Sequence, residues 1–200
     1  MAPRVDLLAL HAEEYAAGRA PRVVTVAPAR YLAVDGAGDV PGPAFLAQAV
    51  ALSLLLREIR TLVRKEQRAT DFRIPPLEAL IGPPRARGEA IDPVGPLPWK
   101  LLLRIPAFVH PTDLVAVAAR SGEAEAFPAR IEEVREGRCI QLLHAGPFAG
   151  LGTALDRLRG AAADLGLLPR GRAHVALFTD TGRTAPERRR TLVRLPVKPR

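Results

Sequence analysis

The order of the predicted elements repeats once along this sequence, and the repeat limits the folds that the chain can adopt. Each half reads strand, loop, helix, strand, strand; the halves cover about residues 22–109 and 128–197, and residues 1–21 form an N-terminal extension. Near their ends stand LLLRIPAFV and TLVRLPV, which share an Arg-x-Pro placement. Repeated halves of this kind usually pack about a pseudo-two-fold axis and leave a groove where they meet. The pattern predicts a single α+β domain, residues 1–200, with an antiparallel sheet and a central ligand cleft.

Hydrophobic periodicity predicts where the individual elements lie. Stretches rich in β-branched and aromatic residues, bounded by Pro and Gly, indicate strands, and apolar residues repeating every three to four positions indicate helices. The predicted strands cover residues 22–26, 30–35, 72–80, 99–105, 130–135, 138–144, 173–179 and 190–195. The predicted helices cover residues 45–66 and 153–165. The strands at 130–135 and 138–144 are predicted to form a hairpin about Glu136-Gly137.

The glycine-rich stretch DGAGD, residues 35–39, has three possible interpretations: a phosphate loop, a metal loop or a turn. A dinucleotide fingerprint needs a third glycine where Pro41 stands, and an EF-hand loop needs further acidic residues after Asp35 and Asp39. The turn signals favour a simple exit from a strand. The four histidines are too dispersed to suggest a metal site by spacing, so no cofactor and no metal are expected.

Charge and composition point to a bacterial cytoplasmic protein. The net charge is +8, but the basic residues are almost all arginine, which is typical of a GC-rich genome. No zinc-finger spacing, recognition-helix pair or base-stacking strand accompanies that charge, so specific nucleic-acid binding is not expected. No signal peptide or membrane-spanning segment is predicted. The single cysteine, Cys139, cannot form an internal disulfide.

Five stretches spread over nearly the whole chain resemble one known family. They are RYLAVDGAGD at 30–39, PLEAL at 76–80, PWKLLLRIPAFV at 98–109, LLHAGPF at 142–148 and GRTAPERRRTLVRLPV at 182–197. In their order and spacing they resemble the GyrI-like small-molecule-binding domain, in the form without an attached helix-turn-helix. This resemblance implies two strand-helix-strand-strand units and a cleft for amphipathic or cationic aromatic molecules. It also implies one of three roles: drug sensor, gyrase inhibitor, or hydrolase of cyclopropane-bearing genotoxins.

The resemblance and the residue types together suggest a set of ligand-binding candidates. Glu78 lies in the apolar stretch IPPLEAL, where a carboxylate is costly unless it is paired or reaches the cleft. Trp99 suits either ligand stacking or core packing, and His144 suits either a hydrogen-bonded structural role or a catalytic one. The full set is Glu78, Trp99, His144, Phe148, Val175 and Leu177.

Three of these candidates depart from the family pattern. Val175 and Leu177 stand where the family has Glu and Tyr, and Phe148 replaces a Tyr. General acid–base hydrolysis needs a carboxylate and, here, a phenol, so the sequence favours a small-molecule sensor or scavenger over an enzyme. Two alternatives stay open. One is a hydrolase in which Glu78 activates water, and the other is a protein-interaction module, such as a gyrase inhibitor, with a protein partner.

Overall fold

The centre of the fold is one large antiparallel sheet. The structure, a computed structural model, describes residues 4–66, 71–82, 97–121, 128–179 and 183–200. Its strands are β1 Arg22–Val26, β2 Ala29–Ala37, β3 Leu77–Ile81, β4 Pro98–Arg104, β5 Arg130–Val134, β6 Gly137–Ala145, β7 Leu167–Pro169, β8 Ala173–Leu177 and β9 Arg190–Pro199. Its helices are α1 Leu7–Leu10, α2 Ala12–Tyr15, α3 Pro43–Lys65, α4 Pro111–Ser121 and α5 Leu151–Asp164. The predicted α+β class is confirmed.

The strand order shows the duplication directly. The sheet runs β1-β6-β9-β8-β3-β4-β2-β5, with β7 paired to β9. From the central pair outward, β3, β4 and β2 on one side mirror β8, β9 and β6 on the other. Ala79 lies opposite Val175 where the two halves join. This arrangement is the predicted pseudo-two-fold pair of strand-helix-strand-strand units.

The predicted hairpin at Glu136-Gly137 is wrong, although both of its strands exist. β5 pairs with β2 and β6 pairs with β1 and β9, so β5 and β6 lie at distant places in the sheet. The local turn signal was misleading because Glu136 is not an exposed turn residue. Its side chain is buried and its carboxylate lies 2.8 Å from Arg194 of β9. The residues between β5 and β6 therefore pack against β9. The first strand of each half therefore pairs with the opposite half.

Helix α3 packs its apolar stripe on the first half of the sheet. Its buried residues are Phe45, Ala49, Leu52, Leu56, Ile59, Leu62 and Val63, as the periodicity predicts. The next residue after Phe45, Leu46, is exposed and begins a second apolar row on the outer side of the helix. Helix α5 covers the second half in the same way. Both helices lie on one face of the sheet, and together with it they enclose the main core.

Several local predictions need adjustment. The strand predicted at 72–80 is regular only over Leu77–Ile81, because Pro75 and Pro76 have no backbone N–H for a ladder; Phe72 makes only an isolated bridge to Val5. Helices α1, α2 and α4 and strand β7 were not predicted. Among the described helices, none combines the length and apolarity needed to cross a membrane.

The DGAGD stretch forms the end of β2 and the turn toward α3, as the turn interpretation predicts. Gly38 has a φ of +124°, which residues with a side chain rarely adopt. Gly36 lies opposite Trp99 in the β2–β4 register. A Cβ atom at Gly36 would stand 2.1 Å from the Trp99 ring, so only glycine fits there.

Candidate functional site

Charged side chains lie buried on the face of the sheet that is opposite to α3 and α5. Because side chains alternate along a strand, Glu78, Arg104, His174 and Arg194 all point to this second face. Each is at most 4% exposed. Burying four ionisable groups is costly unless they are paired, so their partners decide what this face can do.

The N-terminal segment, residues 4–18, supplies many of those partners. The Tyr15 hydroxyl donates a hydrogen bond of 2.6 Å to Oε1 of Glu78. The Glu14 carboxylate accepts one of 2.7 Å from Arg104, and the Glu14 main-chain carbonyl accepts one of 2.5 Å from Arg194. Since Glu78 and Arg104 belong to the first half and Arg194 to the second, the segment is bonded across both halves.

His174 links two carboxylates at the centre of this network. Its Nε2 lies 2.8 Å from Oε2 of Glu78, and its Nδ1 lies 2.9 Å from Oε2 of Glu136. The Tyr31 hydroxyl approaches Oε2 of Glu78 at 3.4 Å, and Arg194 donates to Glu136 at 2.8 Å. The network is thus continuous from Tyr31 to Arg194.

The electrostatics of the network favour the charged forms of His174 and Glu136 and the neutral form of Tyr15. Burial alone would lower the pKa of His174, but the adjacent Glu136 and Glu78 raise that pKa to about 9. Burial opposes the charge of Glu136, yet His174 and Arg194 hold the pKa of that carboxyl at about 2. Burial, followed by the Glu78 charge, raises the pKa of Tyr15 well above its ordinary range. Tyr15 therefore stays protonated and acts as a hydrogen-bond donor.

An open apolar groove lies beside this network. Its volume is about 1140 Å³, and it is bounded by the N-terminal segment, α3, the approach to β3 and the end of β8. Leu77 and Leu177, which are opposite each other in the central strand pair, both line it, so it lies at the junction of the halves. The Tyr15 ring forms part of its wall and makes an edge contact with Phe178, 6.4 Å between ring centroids. Tyr15 is therefore shared by the groove and the buried network.

The predicted site residues are not gathered in one place. Leu177 lines the groove, whereas Val175 is buried in the core between sheet and helices. Glu78 lies on the other face of the sheet, in contact with the Tyr15 hydroxyl. Trp99 is 1% exposed in the helix-side core, where its ring meets Phe45 edge-on at 5.3 Å.

The last two candidates lie at the start of α5. Nε2 of His144 is 3.0 Å from the carbonyl oxygen of Pro147. Phe148 begins a short 3-10 turn, and the Arg189 guanidinium stands 5.9 Å from its ring centroid. Neither His144 nor Phe148 is among the residues that line the groove.

Sequence reasoning missed most of the network. The missed residues are Glu14, Tyr15, Tyr31, Arg104, Glu136, Gln141, His174 and Arg194. For Arg104 and Arg194 a signal was present, because the Arg-x-Pro echo puts an arginine inside an apolar strand in each half. The argument applied to Glu78, that a charge in such a strand must be paired, holds equally for them. Tyr15 had no comparable signal, since it comes from the extension outside the repeat.

Taken together, these features define a duplicated α+β domain with a buried ionic network on one sheet face and an apolar groove at the junction of its halves. No protein-family model matches the sequence, and no curated protein matches it. Several solved structures, however, are similar to this chain. A conserved protein from Listeria innocua is 25% identical, with a TM-score of 0.83 over 98% of this chain and 100% of that one.

Two other structures extend the comparison. A hydrolase from Listeria innocua is 26% identical, with a TM-score of 0.80 and coverage of 98% of this chain and 100% of that one. The EcmrR C-terminal domain is 10% identical, with a TM-score of 0.59 over 90% of this chain and 98% of that domain. At that identity the EcmrR likeness shows a shared fold only.

Proposed function

We propose that this protein binds small amphipathic molecules in the groove beside Tyr15, as a GyrI-like sensor or scavenger. The observation that carries the proposal is an exposed apolar row on α3. Leu46, Val50 and Leu54 follow one another at a spacing of four residues, are 46%, 60% and 55% exposed, and all line the groove. A contiguous apolar surface inside a concavity is typical of a binding site.

The size and wall of the groove support the same function. Pockets for drug-sized molecules usually measure about 300–1,000 Å³, and this groove, at about 1140 Å³, accepts such a molecule. The Tyr15 ring is held in place by its bond to Glu78, and two guanidiniums, those of Arg104 and Arg194, stand 5.7 and 5.9 Å from its centroid. A wall that is already ordered costs less entropy when a ligand binds.

The test is a titration with N-phenyl-1-naphthylamine, an uncharged fluorescent apolar probe. Val50→Glu places a charge in the groove and should weaken probe binding about tenfold or more, because a carboxylate is costly against an apolar ligand. Val115→Glu is the matched control, since Val115 is also an exposed helical valine, 68% exposed on α4, outside the groove. Equal affinity in both variants would refute this site, and no binding to the wild-type protein would refute the function.

A hydrolase is the second candidate, and one observation favours it. Because Phe148 replaces a tyrosine of the family pattern, the phenol was expected to be absent, yet the hydroxyls of Tyr15 and Tyr31 lie 2.6 and 3.4 Å from the Glu78 carboxylate. A carboxylate and a phenol are suitable groups for acid–base hydrolysis. In this role Glu78 would take a proton from the water that attacks the substrate and return it to the leaving group as that bond breaks, and the Tyr15 hydroxyl, which donates to Glu78, would hold the carboxylate in position.

Turnover would distinguish the two candidates. The assay follows loss of a cyclopropane-bearing alkylating agent by chromatography, with the wild-type protein, Tyr15→Phe and buffer. A hydrolase predicts a wild-type rate well above buffer and a lower rate in Tyr15→Phe, whereas probe binding stays intact because the ring is retained. A wild-type rate equal to that in buffer would reject the hydrolase for this substrate class and leave the binding function standing.

A further inference from the structure

The charged groups that line the groove are mostly basic. In the part of the chain that the structure describes, they are Asp6, Arg57, Arg73 and Arg190. Asp6 is already engaged: its carboxylate accepts a hydrogen bond of 3.0 Å from Arg73 and another of 3.1 Å from the backbone N–H of Leu8. The bond from Arg73 lowers the pKa of Asp6, so this acid stays charged and paired. The remaining cationic side chains are Arg57 and Arg190.

Arg57 and Arg190 are placed to meet a ligand head group. Arg57 lies on α3, one turn beyond Leu54 of the apolar row. Arg190 begins β9, and its carbonyl accepts a hydrogen bond of 3.0 Å from the backbone N–H of Phe178, another residue of the groove. Both arginines are exposed, and within the described ranges no carboxylate forms an ion pair with either.

Among the described residues of the groove, a cation would find no carboxylate without a partner. The nearby carboxylates, Glu14 and Glu78, lie on the far side of Tyr15, and each is bonded within the network, Glu14 to Arg104 at 2.7 Å and Glu78 to Tyr15 at 2.6 Å. Among the described groove residues Asp6 is the one acid, and Arg73 neutralises it. The family resemblance implied amphipathic or cationic aromatic ligands, and the charges that line the groove favour the first of these two classes.

We infer that the groove binds amphipathic anions, with an apolar body on the row of Leu46, Val50 and Leu54 and an anionic head beside Arg57 and Arg190. Guanidinium groups suit this task because they stay charged and form paired hydrogen bonds with carboxylates and similar oxyanions. The net charge of +8 also attracts anions at a distance. The inference rests on the proposed binding function and adds the sign of the ligand charge.

The decisive experiment uses two probes of nearly equal size and shape and opposite charge, tetraphenylborate and tetraphenylphosphonium. Their dissociation constants are measured by calorimetry at low and moderate salt. Exposed charge pairs contribute modestly to binding, so the borate should bind about tenfold more tightly than the phosphonium. The preference should shrink as salt is added, because screening weakens exposed ion pairs.

Substitutions assign the preference to particular residues. In Arg57→Gln and Arg190→Gln the borate should bind about three- to fivefold more weakly, with the phosphonium unchanged or slightly tighter. Arg64→Gln is the control, because Arg64 is an exposed arginine two turns further along α3 and outside the groove; it removes the same charge from the same helix.

The outcomes separate the two proposals. If the phosphonium binds as tightly as the borate, the inference is overturned while the binding function stands. If all three variants weaken borate binding equally, the preference comes from the overall charge and the assignment to Arg57 and Arg190 is wrong. If neither tetraphenyl probe nor N-phenyl-1-naphthylamine binds, the proposed function itself fails. Loss of the preference in the two groove variants alone supports the inference.

Discussion

Replacing Tyr15 with phenylalanine removes one hydroxyl from the buried network and keeps the aromatic ring. That hydroxyl donates to Glu78 at 2.6 Å and accepts from Arg104 at 3.3 Å. Glu78 is fully buried, so water cannot easily replace the lost donor. A buried hydrogen bond to a charged group contributes about 1.5–3 kcal/mol. We therefore expect Tyr15→Phe to lower the free energy of unfolding by about 2 kcal/mol.

Tyr31→Phe is the matched control, because it removes a buried phenol from the same carboxylate. Its hydroxyl lies 3.4 Å from Oε2 of Glu78, beyond the range of about 2.5–3.0 Å that is normal for O–H···O bonds. The expected loss is therefore below about 1 kcal/mol. A double-mutant cycle with Glu78→Gln should show coupling of about 1 kcal/mol or more for Tyr15 and little for Tyr31.

Urea denaturation followed by the fluorescence of Trp99, the one tryptophan of the sequence, provides the measurement. Because Trp99 is 1% exposed in the helix-side core, it reports unfolding of the whole sheet rather than local release of the N-terminal segment. Equal losses for Tyr15→Phe and Tyr31→Phe, or no coupling of Tyr15 to Glu78, would refute the reasoning from hydrogen-bond geometry.

Two further predictions concern the stability of the same fold. Burial alone would lower the pKa of His174, but Glu136 raises it from 6.5 to about 9. Protonated His174 therefore stabilises the fold fully below pH 6.5, and this stabilisation is lost as the pH rises through 9. The free energy of unfolding of the wild-type protein should fall by about 3 kcal/mol over that interval, whereas that of His174→Gln should stay constant. Urea denaturation at several pH values measures both, and an equal dependence on pH in the two proteins would contradict this prediction. Gly36→Ala should lower the melting temperature strongly, since its Cβ would stand 2.1 Å from Trp99. Gly152→Ala, in α5 with open space around it, should be neutral or stabilising, and a similar loss in both variants would argue against the clash.

Much of the element content could be predicted because it depends on local patterns. The apolar period of α3 predicted a helix at 45–66, and the structure has Pro43–Lys65. The strand predicted at 22–26 is β1, with the same bounds. Such elements follow from which neighbouring residues share a face, and no distant contact is needed to recognise them.

Strand pairing could not be predicted in the same way. A glycine turn between β5 and β6 looks like a hairpin locally, but the energy of pairing each strand with the opposite half comes from residues far away in sequence. Glu136 illustrates the point, because its ion pairs with His174 and Arg194 exist only once β8, β9 and the connection between β5 and β6 are in place. Local turn preferences of this kind are weaker than the cost of leaving a buried acid unpaired.

The spacing of residues along the chain was enough to predict the class of the fold, the repeat and the helix that carries the buried apolar stripe of α3. The sequence also showed that Glu78, in an apolar strand, needed a partner or a cleft. Which partner it has became known from the folded chain, where Tyr15, 63 positions away, donates to it at 2.6 Å. The packing of the whole sheet and its helices also puts the ring of Tyr15 in the groove wall and leaves Arg57 and Arg190 at the groove. Contacts between distant segments depend on that packing and not on any local pattern.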